Sequence, residues 1–413
     1  MKGRLTRLKE LGLVKASELK SPASTASRAA RRPWPERESF LPGWEKIAPH
    51  TFTRTIETGL QAADPGRAGY FAPLDRLCFF DLETTGLSGG SGTIAFLAAM
   101  GFFEDSTFLV TQVFIDDFPG EASFLDFTLN LLAGRPLLVT YNGAAFDLPL
   151  LRTRCILNAC PVPEFGHIDV LKFTRRLWRR TLGSCSLQAL ESAVLGEERE
   201  GDVPGFLIPR LWLDYATSPG GESGGELNAM MEKIAWHNAR DVISLAKLFM
   251  RIDGIMTEPL RRFSSERVYV PHLARDLIAA GRADEGRKIL EEAGSDGDAA
   301  ALLFLARLHR REGRIEEYRR IVAAVDERTI EACVEKAKYR EHVCRDPAGA
   351  LACTERAFAI LAAEKAGEGE RSGDAMGQAR KNAGRMRVEN KLKARCARLM
   401  KKMEKSGREE GKN

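Results

Sequence analysis

From about residue 75 the apolar positions of the chain come in short dense runs separated by polar turns. Leu77–Glu83, Ile94–Phe103 and Thr107–Ile115 read as strands, the last two joined by the turn Glu104-Asp105-Ser106. Three strands joined by short connections predict an antiparallel meander. The period then lengthens. Glu121–Leu132 reads as a helix, Leu137–Tyr141 as a fourth strand, and Phe146–Leu157 as a second helix. Helices follow over 170–181 and 184–195, then a flexible Ser218–Gly225 loop (SPGGESGG), then a long helix over Glu226–Arg251. The pattern is α/β over 75–255.

After about 265 the texture changes to helices rich in Ala, Leu, Arg and Glu. The segment AAGRADEGRKIL (279–290) aligns with REGRIEEYRRIV (311–322), and CRDPAGALACTERAF (344–358) follows about one period later. A period near 33 suits helix-turn-helix repeats of the tetratricopeptide type; the alternative is an irregular helical bundle. Residues 1–50 read as a basic segment, with an amphipathic stretch over 1–20 and a Ser/Ala/Pro/Arg-rich linker over 21–40. Residues 363–413 read as a Gly-rich linker and a basic tail.

Charge sharpens this division. The formal net charge is +5, but residues 1–50 hold 11 Lys/Arg against 5 Asp/Glu and residues 380–413 hold 13 against 4, which leaves the body acidic. Basic ends on an acidic body suit contact with a polyanion, or else solvated tails. The eight cysteines include no Cys-x-x-Cys pair and several lie in apolar runs, as reduced core thiols of a cytosolic protein do. The charged N-terminus has no apolar core of a signal peptide, and no run is long enough to span a bilayer. The expectation is a soluble, cytoplasmic protein.

Within the first strand, CFFDLETTGLSGG places Asp81 and Glu83 two residues apart, hence on one face and roughly 7 Å from each other. Beside Phe79 and Phe80 two like charges raise each other's pKa and cost stability. A hard divalent cation such as Mg²⁺ or Mn²⁺ reverses that cost. The plainer reading is a strand end with both acids in water. VTYNGAAFDLPLL runs from the fourth strand through Asn142-Gly143 and delivers Asp147 into a helix's first turn, where an acid also favours the helix dipole. WHNARDVISLAKLF places His237 and Asp241 at i and i+4 on one helix face, about 6 Å apart along the axis. Alone, Asp241 could pair with a nearby arginine and His237 could be a hydrogen-bonded core residue. Together, four carboxylates can hold two cations about 4 Å apart for phosphodiester hydrolysis, with an imidazole whose ordinary pKa suits proton transfer near neutral pH.

The ordered segments FDLETTGL, YNGAAFD and HNARD resemble the three motifs of the DnaQ-like, or DEDD, 3′→5′ exonucleases. The likeness is nearest to the YprB-like family through TTGLSGGSGTIAFL, VTQVFIDDFPGEASFL, IDVLKFTRRLWRRTLGSCSLQALE and REGDVPGFLIP. The resemblance implies a ribonuclease-H-like mixed sheet flanked by helices, followed by an all-α helical-repeat domain over 265–362. It implies Asp81, Glu83, Asp147 and Asp241 as ligands of two Mg²⁺ or Mn²⁺ ions and His237 as general base. Thr84 and Leu87 sit where the superfamily contacts the terminal nucleotide, and Asn142 of the second motif is a further substrate-binding candidate. The commonest His-type motif has its His five residues before the Asp, where this chain has Trp236; His237 takes the place of the tyrosine of the Tyr-type subgroup. The Gly-rich stretch Ser88–Gly92 is a turn, or a loop that closes over product phosphate.

KFTRRLWRRT carries Arg175, Arg176, Arg179 and Arg180 with Leu177 and Trp178 between them. Arginines hold phosphates and a tryptophan stacks on a base; the alternative is a solvated face with Trp178 in the core. No Gly-x-x-x-x-Gly-Lys-[Ser/Thr] loop is present, so ATP-driven strand opening would need a separate helicase, for which the helical repeats offer a docking surface. The leading expectation is a metal-dependent 3′→5′ exonuclease on DNA, in repair. The alternatives are the same chemistry on RNA, and a catalytically silent scaffold that binds partners through its repeats.

Overall fold

A computed structural model describes residues 41–67, 69–86, 92–161, 164–218, 224–367 and 375–410. Seven strands, β1 (Glu45–Ala48), β2 (Thr51–Gln61), β3 (Leu77–Thr84), β4 (Ala95–Glu104), β5 (Thr107–Ile115), β6 (Leu137–Thr140) and β7 (Gly166–Asp169), form one sheet in the order β1-β2-β5-β4-β3-β6-β7. The meander β3-β4-β5 is antiparallel as its short turns require, with Asp81 opposite Ala99. From β3 to β6 to β7 the pairing turns parallel, because each connection there passes through a helix. The sheet is therefore mixed.

The helices are α1 (Glu121–Ala133), α2 (Asp147–Leu157), α3 (Val170–Leu182), α4 (Leu187–Leu190), α5 (Ile208–Ala216), α6 (Gly224–Thr257) and α7 (Pro259–Arg262). They are followed by α8 (Val270–Ala279), α9 (Ala283–Ser295), α10 (Ala299–Arg311), α11 (Ile315–Ala324), α12 (Ile330–His342), α13 (Pro347–Gly367) and α14 (Ala375–Glu410). The architecture is a ribonuclease-H-like sheet flanked by helices, then an all-α region.

Alternate residues of β3 feed opposite cores. Phe80 and Leu82 pack with Phe96, Phe124 and Trp212 on one face; Phe79 packs with Phe108, Val139, Trp178 and Phe249 on the other. On that second face α6 lies close to the sheet: a Cβ at Gly101 of β4 would overlap the Phe108 ring and Val242 of α6. The core on this face continues through Leu273, Leu277, Ile289 and Leu305 to Tyr318, so the sheet and the helical region share one apolar interior. Trp178 is fully buried, and its indole N–H donates to the Glu266 carbonyl at 2.9 Å. It is a core residue at the junction, not a surface for base stacking.

Other differences have identifiable causes. β2 is a strand that the sequence reading leaves unassigned; TFTRTIETGLQ is mostly polar and pairs with β5 near one side of the sheet. The expected helix over 184–195 is instead α4 followed by one π turn, Glu191–Leu195, ended by Gly196 at φ 71°. The basic C-terminal stretch is helical from Ala375 and docks on α12 and α13 by burying Leu392 and Leu399, while Glu341 accepts from Arg395 and Arg398. The cysteines form no disulfide. Among the described residues no helix is long and apolar enough to cross a membrane.

Candidate active site

The expected acids arrive from three elements. Asp81 and Glu83 stand on the α6 side of β3, two and four positions beyond Phe79. Asp147 is the first residue of α2 and reaches back to β3, where its carboxyl takes a hydrogen bond from the Leu82 backbone. Asp241 lies on α6, one turn beyond His237.

A tight turn sets the Asp147 position. Asn142 has φ 69°, a left-handed conformation that Asn tolerates, and its N–H donates to Asp169 Oδ1 at 2.9 Å. Gly143 follows so close to Thr140 that a Cβ would collide with it, and its N–H donates to Thr140 Oγ1 at 3.1 Å. Asn142 is thus first a turn residue whose backbone Asp169 holds.

The four acids stand near enough to repel one another. Burial first, and then the charges of Asp241, Asp147 and Glu83, hold the Asp81 carboxyl well above the ordinary range, against a hydrogen bond from Asn238. Glu83 is likewise held well up by burial, then by Asp241, Asp147 and Asp202, with Arg199 opposing. Burial pushes Asp147 up to about 7, although the backbone hydrogen bonds pull it down. Burial also raises Asp241, against the charges of His237 and Arg199. Such a cluster carries more negative charge than Arg199, the guanidinium beside Asp241, balances.

A layer of side chains around the acids fixes their orientation. Asn238 is fully buried; its amide donates to Asp81 Oδ2 at 2.8 Å and accepts from Gln112 Nε2 at 3.0 Å. Gln112, also fully buried, accepts from Arg54 Nε at 2.8 Å. His237 Nδ1 sits 2.7 Å from Asp202 Oδ1, and its Nε2 faces Glu83 and Asp241, each at 3.9 Å. A carboxylate on Nδ1 favours the tautomer with its proton there and leaves Nε2 as an acceptor toward the acids. Asp202 is pushed up by burial, but the hydrogen bond and charge of His237, and then Arg199, bring it below its ordinary value.

Arg199 is the buried cation of the site, its side chain 5 % exposed. It forks onto Glu191 of the π turn at 2.7 and 2.5 Å, donates to Asp202 at 3.1 Å, and donates to Asp241. Arg199 and Asp202 lie in REGDVPGFLIP, a segment the sequence reading marks without giving either a role. Asn238 sits inside HNARD, and Glu191 carried no recognisable signal.

The remaining expected residues are Thr84, next to Glu83 on β3, Leu87, and the arginines of α3. Thr84 ends β3 and its hydroxyl donates to the Gly86 carbonyl at 2.8 Å. Leu87 and Ser88–Ser91 lie outside the described residues. Arg175, Arg176, Arg179 and Arg180 are all exposed on α3. Arg176 pairs with Asp276 of α8 and Arg180 with Glu331 of α12, so these two face the helical region.

The donor set is all oxygen, which fits a hard divalent cation. Among the described residues no three His, Cys, Asp or Glu groups converge closely enough to ligate one ion by themselves.

A family model for the RNase H superfamily matches residues 78–252, the span that holds all four acids and the histidine. The uncharacterized protein YprB of Bacillus subtilis (strain 168) is 30% identical to this chain over 300 residues, 70% of each protein. The chain belongs to the YprB family, and residues 78–252 are its RNase H superfamily domain. It shares with YprB a match that extends well beyond the superfamily's nuclease domain. Among solved structures, the family B DNA polymerase of Pyrobaculum calidifontis matches 55% of this chain and 33% of its own length, with 15% identity and a TM-score of 0.34.

Proposed function

We propose that this chain is a metal-dependent 3′→5′ exonuclease that hydrolyses phosphodiester bonds of DNA, acting in DNA repair in the cytoplasm. The observation that carries this reading is the half-buried cluster of Asp81, Glu83, Asp147 and Asp241, carried by β3, α2 and α6, with His237 facing Glu83 and Asp241. These four acids would hold divalent cations, Mg²⁺ or Mn²⁺. Bound there, the cations would offset the carboxylates' repulsion and stabilise charge on the leaving 3′ oxygen. His237 would take the proton of the attacking water at Nε2, with Asp202 at Nδ1 holding the ring and balancing the charge it gains. Asn238 and Arg199 would hold Asp81 and Asp241 in place. Thr84 and Leu87 would meet the terminal nucleotide. The exposed Phe146 and Trp236, each next to an active-site residue in sequence, would offer faces for bases. The helical region over 265–362 would act as a tetratricopeptide-like docking surface for a protein partner such as a helicase.

The test uses purified protein with Mg²⁺ or Mn²⁺ on matched DNA and RNA oligonucleotides, labelled at either end, with Asp81→Asn and EDTA as controls. A metal-dependent ladder that shortens DNA from its 3′ end is the expected result. Shortening of RNA alone would reassign the substrate. Failure to cleave any strand would leave the scaffold reading.

A further inference from the structure

Three clefts open side by side on the helical region and share their walls. The first is lined by Arg180 of α3, Tyr269, Arg275 of α8 and Arg307 of α10. The second shares Arg307 and continues to Lys338 of α12 and Lys391, Arg395 and Arg398 of α14. The third, about 730 Å³, shares Lys338, Arg395 and Arg398 and extends to Arg310, Lys401 and Lys402. Among the described residues they are lined by ten Lys/Arg and two acids, Glu331 and Glu341. Glu341 is buried beneath Arg395 and Arg398, and the buried Glu335 is shared by Arg307, Arg310 and Lys338. Two carboxylates so placed hold five cations and leave the floor positive.

The wall supplied by α14 is regular. Lys391, Arg395, Arg398 and Lys402 recur at i, i+4, i+7 and i+11, a stripe along one helix face roughly 16 Å long. Leu392, packed with Cys333 of α12 and Ala357 and Leu361 of α13, and the fully buried Leu399 fix the helix in this orientation.

We infer that these clefts form one continuous track for a nucleic-acid phosphodiester backbone, running from the Arg-rich helix α3 of the nuclease domain across the helical region to α14. Closely spaced cations in concave walls suit a repeating phosphate. Tyr269, with Arg180 lying 5.3 Å over its ring, adds an aromatic face at the nuclease end. The track starts on the nuclease domain itself, which favours a nucleic acid over an acidic protein. The identity of this polyanion rests on the nuclease reading; the track does not require the four acids to be catalytic.

The test uses the full chain carrying Asp81→Asn, so that DNA is bound without being cut, with and without Lys391→Gln and Lys401→Gln. Both lysines are exposed, and neither lies in the acid cluster. Binding of a fluorescent single strand of about 40 nucleotides is followed against salt, beside a strand of about 8 that the active site alone can hold. Removing two phosphate contacts should lower the slope of log affinity on log salt by about 1.4 for the long strand. The short strand should bind unchanged, and the double variant on the native Asp81 background should cut it at the parent rate. Lys391→Glu with Lys401→Glu should weaken the long strand at least tenfold, and an unchanged thermal midpoint will show that both pairs fold.

An unchanged slope for the long strand would overturn the track. Loss of long-strand binding only in competition with polyglutamate, with the slope unchanged, would assign the cleft to an acidic protein and overturn it equally. If no substrate is cleaved but the slope falls as expected, the exonuclease reading fails and the track stands.

Discussion

Replacing Arg199 by methionine removes the one guanidinium that Glu191, Asp202 and Asp241 share. Glu191 is 2 % exposed and forked onto Arg199, so the substitution strands a buried carboxylate. Breaking one side of a buried ion pair costs about 3–5 kcal/mol. For a unit of this size that lowers the unfolding midpoint by roughly 6–20 °C. Tryptophan emission is a suitable reporter, because Trp44 and Trp212 are buried in the core on one face of the sheet and Trp178 in that on the other. The control is a double-mutant cycle. Glu191→Gln removes the stranded charge, so Glu191→Gln with Arg199→Met should be more stable than the sum of the single losses by about 1–3 kcal/mol. A loss below about 1 kcal/mol for Arg199→Met, or strict additivity in the cycle, would refute the claim that this arginine neutralises the buried acids.

Asp81→Asn should cut the rate on the order of thousandfold, about 4 kcal/mol, while the metal-free protein unfolds at the same or a higher temperature, since a repelling charge is gone. Asp202→Asn should lower the rate by about 10–100-fold through loss of the His237 orientation and should alter the pH–rate profile; an unchanged profile would exclude that role. Asp147, ordinarily near 3.8, is held up to about 7, so the folded protein binds a proton that the unfolded chain has released in that window. The Asp147 contribution to metal-free stability should therefore be lost as pH rises from about 4 to about 7, the raised Asp81, Glu83 and Asp241 act in the same direction, and Asp147→Asn or added Mn²⁺ should reduce the slope in that window. Gly101→Val should cost about 1–3 kcal/mol or more by forcing α6 off the sheet, read as a lower denaturant midpoint.

The meander and the four acids were legible because both violate an average. Runs such as LCFF and AFLAAMGFF are too apolar for a surface, and carboxylates embedded in them demand a partner. β2 was hidden because its alternation mixes Thr, Arg and Glu with only a few large apolar residues. β7 has four residues and exists through a parallel pairing with β6 that no local pattern announces. Arg199 was obscured for another reason. Its neighbourhood, GEEREGD, reads as a solvated charged loop, and only the fold shows that this arginine turns inward. The C-terminal helix looks like a basic tail until Leu392 and Leu399, seven residues apart, are seen to share one buried face.

Helix α6 carries His237, Asn238 and Asp241 under the sheet and then, without a break, supplies Ile252, Ile255 and Met256 to the interior shared with the helical region. From Asn238 to Met256 is roughly 27 Å of helix. A rod of that length transmits displacement rather than absorbing it. A shift of about 1.5 Å along its axis is one residue's rise, enough to draw Asn238 away from Asp81 and Asp241 away from the β3 acids. Whatever grips the far end of α6 therefore has mechanical leverage over the geometry at the near end.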